Sequence, residues 1–349
     1  MNSSFKKLIS WSKANYSHLP WRKKRTLYTT LVSEIMLQQT TVGTVLSHFE
    51  KFLAIFPDLQ TLSEASEDQL TIAWKGLGYY RRARNLKKAS EEIVQTYQGK
   101  IPRDYELLVK IPGIGDYTAS ALIAIGRNEK ALAIDANLSR VLSRYFGFSL
   151  NDSKEIQKNF RENKIFSNFD QDWRDLNEAL MDLGRTYCKA NKVECSSCPL
   201  SESCVSLKKN TITFNKHTKK ESTFFELTLL RLVIRKENKV LVYKKSKQEW
   251  LSGQYEVPTF QLFCEDKKLK QYLEAPRFER ETRKLLSFKT GITKYDITNL
   301  IWEMSEKEFK KWANKKIDYE WVENDSSKVN LATSTIKILK KLEKNQDKV

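Results

Sequence analysis

Long apolar runs are missing from this chain. No stretch approaches the ~20 residues a membrane helix needs, so no membrane-spanning segment is expected. The first residues, MNSSFKKLISWSK, hold no signal-peptide core, which gives the expectation of an intracellular, cytoplasmic protein. Internal repeats and low-complexity tracts are absent, and proline and glycine number only 7 and 11. With 40% hydrophobic and 30% charged residues over 349 positions, that leaves an ordinary globular chain, long for one domain and comfortable for two. Acidic residues are in deficit: 43 Asp and Glu against 61 Lys and Arg give a net charge of +18. The excess runs along the whole chain. A charge of that size favours a polyanionic partner, nucleic acid or an anionic membrane, over a merely solvated basic surface.

Cysteine is scarce and clustered. Four of the five, Cys188, Cys195, Cys198 and Cys204, fall in YCKANKVECSSCPLSESC with the spacing C-x6-C-x2-C-x5-C. Cys264 stands apart and is most simply a core residue. Thiols inside a cell stay reduced, so disulfides are the weaker reading and zinc or an iron–sulfur cluster the stronger one. Spacing alone leaves both metals open.

Residues 1–205 read as mainly helical, with apolar residues at helical spacing through Leu31–Met36, Val45–Leu53, Leu86–Ile93 and Leu176–Leu183. Residues 206–222, polar and rich in lysine, read as a linker. From 223 to 349 the character changes to a mixed α+β domain. FELTLLRLVIRK and KVLVYKK read there as a two-stranded hairpin turning at Glu237–Asn238. YDITNLIW and DYEWVEN are further strands, and 304–314 and 333–344 are helices.

Several runs carry chemistry. IPGIGDYTASAL sets Gly113 and Gly115 in a turn between helical segments, the pattern of a helix-hairpin-helix whose backbone N–H groups can hold a phosphate. Glu34, in LVSEIMLQQT, has Leu31 and Leu37 as its i−3 and i+3 neighbours. A carboxyl among leucines is desolvated, which raises its pKa and suits it to general acid work, though on the bare sequence a surface glutamate at a helix boundary is the stronger reading. Asp135 stands before the apolar helical run of Leu138, Val141 and Leu142, where an aspartate is a good N-cap. An ionised Asp135 facing a protonated Glu34 would make a pair with separated pKa values, which glycosidic cleavage through an oxocarbenium-like state requires. GLGYYRRARNL sets Tyr79 and Tyr80 beside Arg81, Arg82 and Arg84, a mixture suited to base stacking and phosphate contact. Gln38 and Gln39 can reach base edges.

Taken together, LPWR, SEIMLQQT, GLGYYRRARNL, IPGIGDYTASAL, IDANLSRVL, NEALMDLG and the cysteine loop, in that order from Leu19 to Cys204, resemble the adenine DNA glycosylases of the MutY type. These belong to the helix-hairpin-helix base-excision superfamily. The resemblance implies a [4Fe–4S] cluster on Cys188, Cys195, Cys198 and Cys204. It implies that Glu34 protonates a flipped adenine at N7 and that Asp135 stabilises the sugar cation, with Tyr117 and Asn137 in support. It implies DNA contacts for Arg22, Gln38, Gln39, Tyr79, Gly113 and Gly115, Tyr79 being wedged into the duplex and Gln39 inserted near the lesion. The basic cluster loop, with Lys189 and Lys192, is expected against a phosphate. The implied partner is double-stranded DNA with adenine opposite 8-oxoguanine or guanine, met by a monomer that is nucleoid-associated through its DNA.

Endonuclease III, a relative with the same hairpin and cluster, has a lysine where Tyr117 stands, and that lysine carries its lyase chemistry. Tyr117 therefore predicts a monofunctional glycosylase. Thymine mismatch glycosylases share the tyrosine but lack the Glu34 motif. Leu31 and Ala136 depart from the usual tryptophan and glycine. The C-terminal half resembles the family's Nudix-like domain more weakly, through WLSGQYEVPTFQL, with no catalytic box of clustered glutamates after it. In the family a Phe-Ser/Thr-His loop of this domain inspects 8-oxoguanine. The best match here is Ile292-Thr293-Lys294, with Lys294 in place of the histidine. That change motivates an alternative, a related glycosylase with altered base or lesion preference. A non-catalytic DNA-damage binder is a further one.

Overall fold

The computed structural model describes residues 2–148, 153–169, 172–212, 214, 224–276, 286–292, 294–314 and 316–346. The chain divides into two compact units, residues 1–65 with 73–217, and residues 66–72 with 218–349.

Among its described residues the first unit is helical, with one isolated β-bridge joining Cys188 and Val193. Its central helix, Leu27–Leu37, starts at a capping box in which Thr26 and Thr29 satisfy each other's backbone N–H groups. Every residue from Tyr28 to Met36 is buried, so Glu34 enters the interior with its helix. The helix Ala136–Phe146 is capped by Asp135 and ends at Gly147, whose φ of 78° is the left-handed C-terminal turn. Its Leu138, Val141 and Leu142 pack with Leu176, Leu180 and Leu183 of the helix Trp173–Thr186 and with Phe5 and Leu8 of the helix Asn2–Tyr16. Truncating one such leucine to alanine costs about 2–5 kcal/mol. The two helices close tightly at Gly184, where a Cβ would lie 2.8 Å from the Asn137 Cβ.

The second unit is α+β. A five-stranded sheet runs β6 (Leu273–Glu274), β5 (Thr259–Cys264), β1 (Phe225–Val233), β8 (Tyr295–Glu303), β7 (Leu286–Ile292). A second sheet joins β2 (Arg235–Lys236), β3 (Lys239–Lys244) and β4 (Tyr255–Glu256), with β9 (Tyr319–Glu323) on β3. The helix Thr333–Gln346 packs Ile338, Leu339 and Leu342 against Val233, Val240 and Val242. Arg231, Lys245 and Glu256 are all buried and meet at the Glu256 carboxylate, with Lys245 Nζ at 2.7 Å from Oε2. Burial pushes this carboxyl up, but the two cations outweigh it and hold its pKa at about 2.

Three expectations are corrected. The expected hairpin turn at Glu237–Asn238 forms, with β2 antiparallel to β3, but its first arm is split: β1 pairs instead with β8 in parallel and with β5. The apolar run continues through Ile234, but the chain changes sheet there, which periodicity does not record. Part of the stretch expected as a linker at 206–222 is folded: Val205–Lys208 is helical with Ser206 buried, and Thr211 N donates to Ser206 O at 2.9 Å, while 213 and 215–222 lie outside the described residues. Of the expected helix at 304–314 only the turn Glu306–Phe309 forms as α-helix, started by a Ser305–Glu308 capping box.

Candidate active site

A cavity of about 1040 Å³ opens in the first unit, and Glu34, Gln38, Gln39, Tyr117, Asp135 and Asn137 all line it. Glu34 is 5% exposed. Burial pushes its pKa up to about 7, the Tyr117 hydroxyl pulls it down, the nearby Glu178 and Asp135 raise it and Arg22 lowers it. Tyr117 Oη donates to Glu34 Oε2 at 2.6 Å. The two residues come together because Tyr117 lies in the first turn of the helix Asp116–Ala121, straight after the Gly113–Gly115 turn. Gly113 has φ 87°, and a Cβ there would sit 2.9 Å from the Asn85 carbonyl oxygen, so only glycine fits. Gly115 is the N-cap of that helix.

Asp135 is both a cap and a cavity residue. Its Oδ1 accepts from the backbone N–H of Asn137 at 2.9 Å and of Leu138 at 2.7 Å, and its Oδ2 from Asn137 Nδ2 at 2.8 Å. The carboxylate is thereby fixed at the mouth of its helix. Two arginines one turn apart tie that helix to the cysteine loop. Arg140 donates to Asn137 Oδ1 and to the carbonyls of Gly184 and Cys188, each at 2.8 Å. Arg144 donates to Lys189 O at 2.8 Å and reaches Cys188 Sγ at 3.3 Å.

Arg22, expected at DNA, lies instead in the wall of the cavity. It is 9% exposed, with Nε 3.2 Å from Glu178 and Nη1 2.8 Å from Asp182. Its guanidinium is thus committed to two carboxylates of the cavity wall. Glu178 and Asp182 escaped the sequence reading, although NEALMDLG sets them i, i+4 on one helix face. Burial raises the Glu178 carboxyl and Arg22 and Arg25 oppose it. Asn177, fully buried, accepts from Ala133 N at 2.8 Å and so holds the segment that leads into Asp135.

Gln39, on the cavity lining, and Tyr79 both take left-handed backbone, φ 53° and 46°, and Tyr79 is 64% exposed. Gln38 Nε2 lies 3.4 Å from Thr118 Oγ1. Arg82, read as a phosphate contact, points inward and donates to backbone carbonyls. Lys189, exposed, lines the cavity from the cysteine loop. Lys192 lies 3.5 Å from Glu194.

Comparison with known proteins fixes the family. The profile of the HhH-GPD superfamily base excision DNA repair proteins matches residues 32–164. An adenine DNA glycosylase of Buchnera aphidicola from Schizaphis graminum is 32% identical over 262 residues, 74% of this chain and 72% of that protein. The chain belongs to the adenine DNA glycosylases. It is accordingly a DNA glycosylase of base excision repair. The human adenine DNA glycosylase is 34% identical over 207 residues, which is 56% of this chain but 38% of the human protein. A second Buchnera aphidicola relative, from Acyrthosiphon pisum, is 35% identical over 201 residues, 57% of each chain. Among solved structures a thermostable thymine-DNA glycosylase superposes with a TM-score of 0.53 at 28% identity, over 59% of this chain and 95% of that one.

In this glycosylase Cys188, Cys195, Cys198 and Cys204 line one small cavity of about 30 Å³, beside Arg144, Tyr187 and Leu207. All five cysteines are free of disulfides. No three of His, Cys, Asp or Glu among the described residues gather as a single-ion site. Of the expected lesion loop, Thr293 lies outside the described residues. Lys294 Nζ sits 3.2 Å from Asp266 Oδ2 and over the Phe225 ring at 4.6 Å. Among the described residues no helix is long and apolar enough to cross a membrane.

Proposed function

We propose that this enzyme excises adenine mispaired with 8-oxoguanine or guanine, as a monofunctional glycosylase. The observation that carries the reading is Glu34, buried, hydrogen-bonded by Tyr117 and sharing one cavity with the capped Asp135. A stacked base hides its glycosidic bond, so adenine must leave the duplex and enter the cavity. With a pKa of about 7, Glu34 carries a proton in much of the population at neutral pH. Tyr117 holds Oε2, which leaves Oε1 to deliver that proton to adenine N7. The C1′–N9 bond then breaks with its electron pair going to the base. The Asp135 carboxylate, held by Asn137 and Leu138, balances the sugar cation. Water adds at C1′ and returns a proton to Glu34. Tyr117 offers no amine for a Schiff base, and the amine that does line the cavity, Lys189, stands on the cysteine loop.

The four cysteines suit a [4Fe–4S] cluster, the group that the family resemblance implies. They are free of disulfides and line one small cavity together. Arg144 at Cys188 Sγ supplies the positive neighbour that thiolate ligands favour. When bound, the cluster supplies a covalent staple for the loop that carries Lys189 and Lys192. The second unit, of which residues 223–349 form most, is proposed as a Nudix-like reader of the opposite base through Thr293 and Lys294. Lys294 where the family has histidine favours a second reading, an altered opposite-base preference.

Single-turnover cleavage of duplexes carrying A opposite 8-oxoguanine, A opposite G and T opposite G tests both. Adenine release from the first two, with strands nicked only after alkali, is the expected result. No adenine release sinks the first reading, and nicking without alkali sinks the monofunctional one.

A further inference from the structure

Arg82 ties together two turns that lie far apart in sequence. Its Nη1 donates to the carbonyls of Ile35 at 2.9 Å and Met36 at 2.8 Å, and also to that of Gln38. Its Nη2 donates to Thr40 Oγ1 at 2.8 Å and to the carbonyls of Leu77 at 3.0 Å and Gly78 at 3.3 Å. The Ile35 and Met36 carbonyls belong to the last turn of the Glu34 helix, which has no partners of its own for them. The guanidinium carbon lies 5.5 Å from the Trp74 ring centre and 5.7 Å from that of Tyr79. Trp74 Nε1 adds a bond to Gly78 O at 3.0 Å.

Each turn carries a non-glycine residue in the left-handed region, Gln39 in one and Tyr79 in the other. Such backbone persists only where its surroundings over-determine it. Here one planar group with donors on both sides supplies that constraint to both turns at once. A lysine, with a single ammonium, cannot span them. Gln39 lines the cavity, and Tyr79 presents an exposed ring that can stack in a gap left by a departed base.

We propose that Arg82 is a positioning residue that holds the Gln39 and Tyr79 turns as one unit for entry into the duplex, so that base extrusion depends on it and bond cleavage does not. The proposal rests on the reading of the cavity as the place of an extruded adenine. It differs from a plain capping role, in which loss of Arg82 would disturb Glu34 and every substrate equally.

The test uses full-length Arg82→Lys and Arg82→Met proteins beside the unsubstituted one. Extrusion is followed by stopped-flow fluorescence of 2-aminopurine at the target position opposite 8-oxoguanine. Single-turnover adenine excision is compared on that paired duplex and on one whose opposite position is abasic, where no pair has to break. Extrusion and paired-duplex excision should both slow by about tenfold or more, with excision on the abasic duplex recovering to within about threefold of the unsubstituted protein. The midpoint of the pH profile should stay in place. Extrusion at the unsubstituted rate, equal loss on both duplexes, or a displaced pH midpoint would each overturn the proposal. Arg82→Lys keeps a cation at the helix end, so it serves if Arg82→Met does not fold. If the unsubstituted protein releases no adenine from either duplex, the functional reading has failed instead.

Discussion

Tyr117 Oη donates to Glu34 Oε2 at 2.6 Å, across 83 positions of sequence. The bond has two effects on the acid. It favours the charged form and so opposes the burial that lifts Glu34 to about 7. It also fixes which carboxylate oxygen faces the cavity.

Replacing Tyr117 by Phe separates these effects. In the proposed mechanism protonated Glu34 is the active form, so excision should fall as pH rises through about 7. Without the hydroxyl the carboxyl loses a bond to its charged form, and that fall moves to higher pH. The plateau at low pH drops by about tenfold, because the acid is no longer aimed. Single-turnover rates from pH 5 to 9 measure both. An unmoved midpoint would mean that the hydroxyl does not act on Glu34.

Glu34 should also cost the protein stability at high pH. Its folded pKa of about 7 lies above the ordinary 4.5. Between these values the folded state holds a proton that the unfolded chain has released, so stability declines as pH rises through that window. Above it a buried charge remains. Glu34→Gln removes the charge, abolishes excision, and stabilises the fold by about 2–3 kcal/mol at pH 8 but hardly at pH 4. Urea unfolding at the two pH values checks this. Equal midpoints for the variant and the unsubstituted protein at pH 8 contradict it.

Asp135→Asn keeps a good helix N-cap while losing the negative charge. Excision should fall by at least about 100-fold, with melting temperature nearly unchanged and DNA binding still tight and salt-sensitive. A large loss of melting temperature would make Asp135 chiefly a cap.

What the sequence made legible follows physical range. Asp135 was readable because a cap is a local device, whereas the leucines at i−3 and i+3 of Glu34 left a surface glutamate the stronger reading until the ordered family motifs were added. The family emerged from ordered local motifs. The partners of Arg22 and Arg82 were not legible because an arginine's partner is a three-dimensional matter. One is held by carboxylates 156 and 160 positions away, the other by carbonyls up to 47 positions away. Glu178 and Asp182 went unassigned for the same reason. The sheet change at Ile234 was hidden because β1 and β3 are equally apolar, and only their partners differ.

The cysteine loop gives a compositional test. Chemical analysis should find about four iron and four sulfide per chain, with no zinc. Cys198→Ser, which alters the wall of the cysteine cavity, should lose iron and lower the melting temperature. Because Arg140 and Arg144 tie the loop to the Asp135 helix, excision should fall with it. Stoichiometric zinc in the unsubstituted protein would refute the cluster.

The last prediction concerns the opposite base. Lys294 is tied to Asp266, and Tyr295 Oη also donates to Asp266 Oδ2 at 2.6 Å, so the ammonium is anchored at the position proposed to match the family's imidazole. An ammonium donates but cannot accept, whereas a neutral imidazole does both. If Thr293 and Lys294 read the lesion, the double variant Thr293→Ala, Lys294→Ala should lose about tenfold of the rate preference for A opposite 8-oxoguanine over A opposite G. The rate on A opposite G should hold, because the catalytic cavity lies in the first unit. Lys294→His should change the preference without abolishing it. An unchanged ratio in the double variant would remove these two residues from lesion reading and leave discrimination to the first unit.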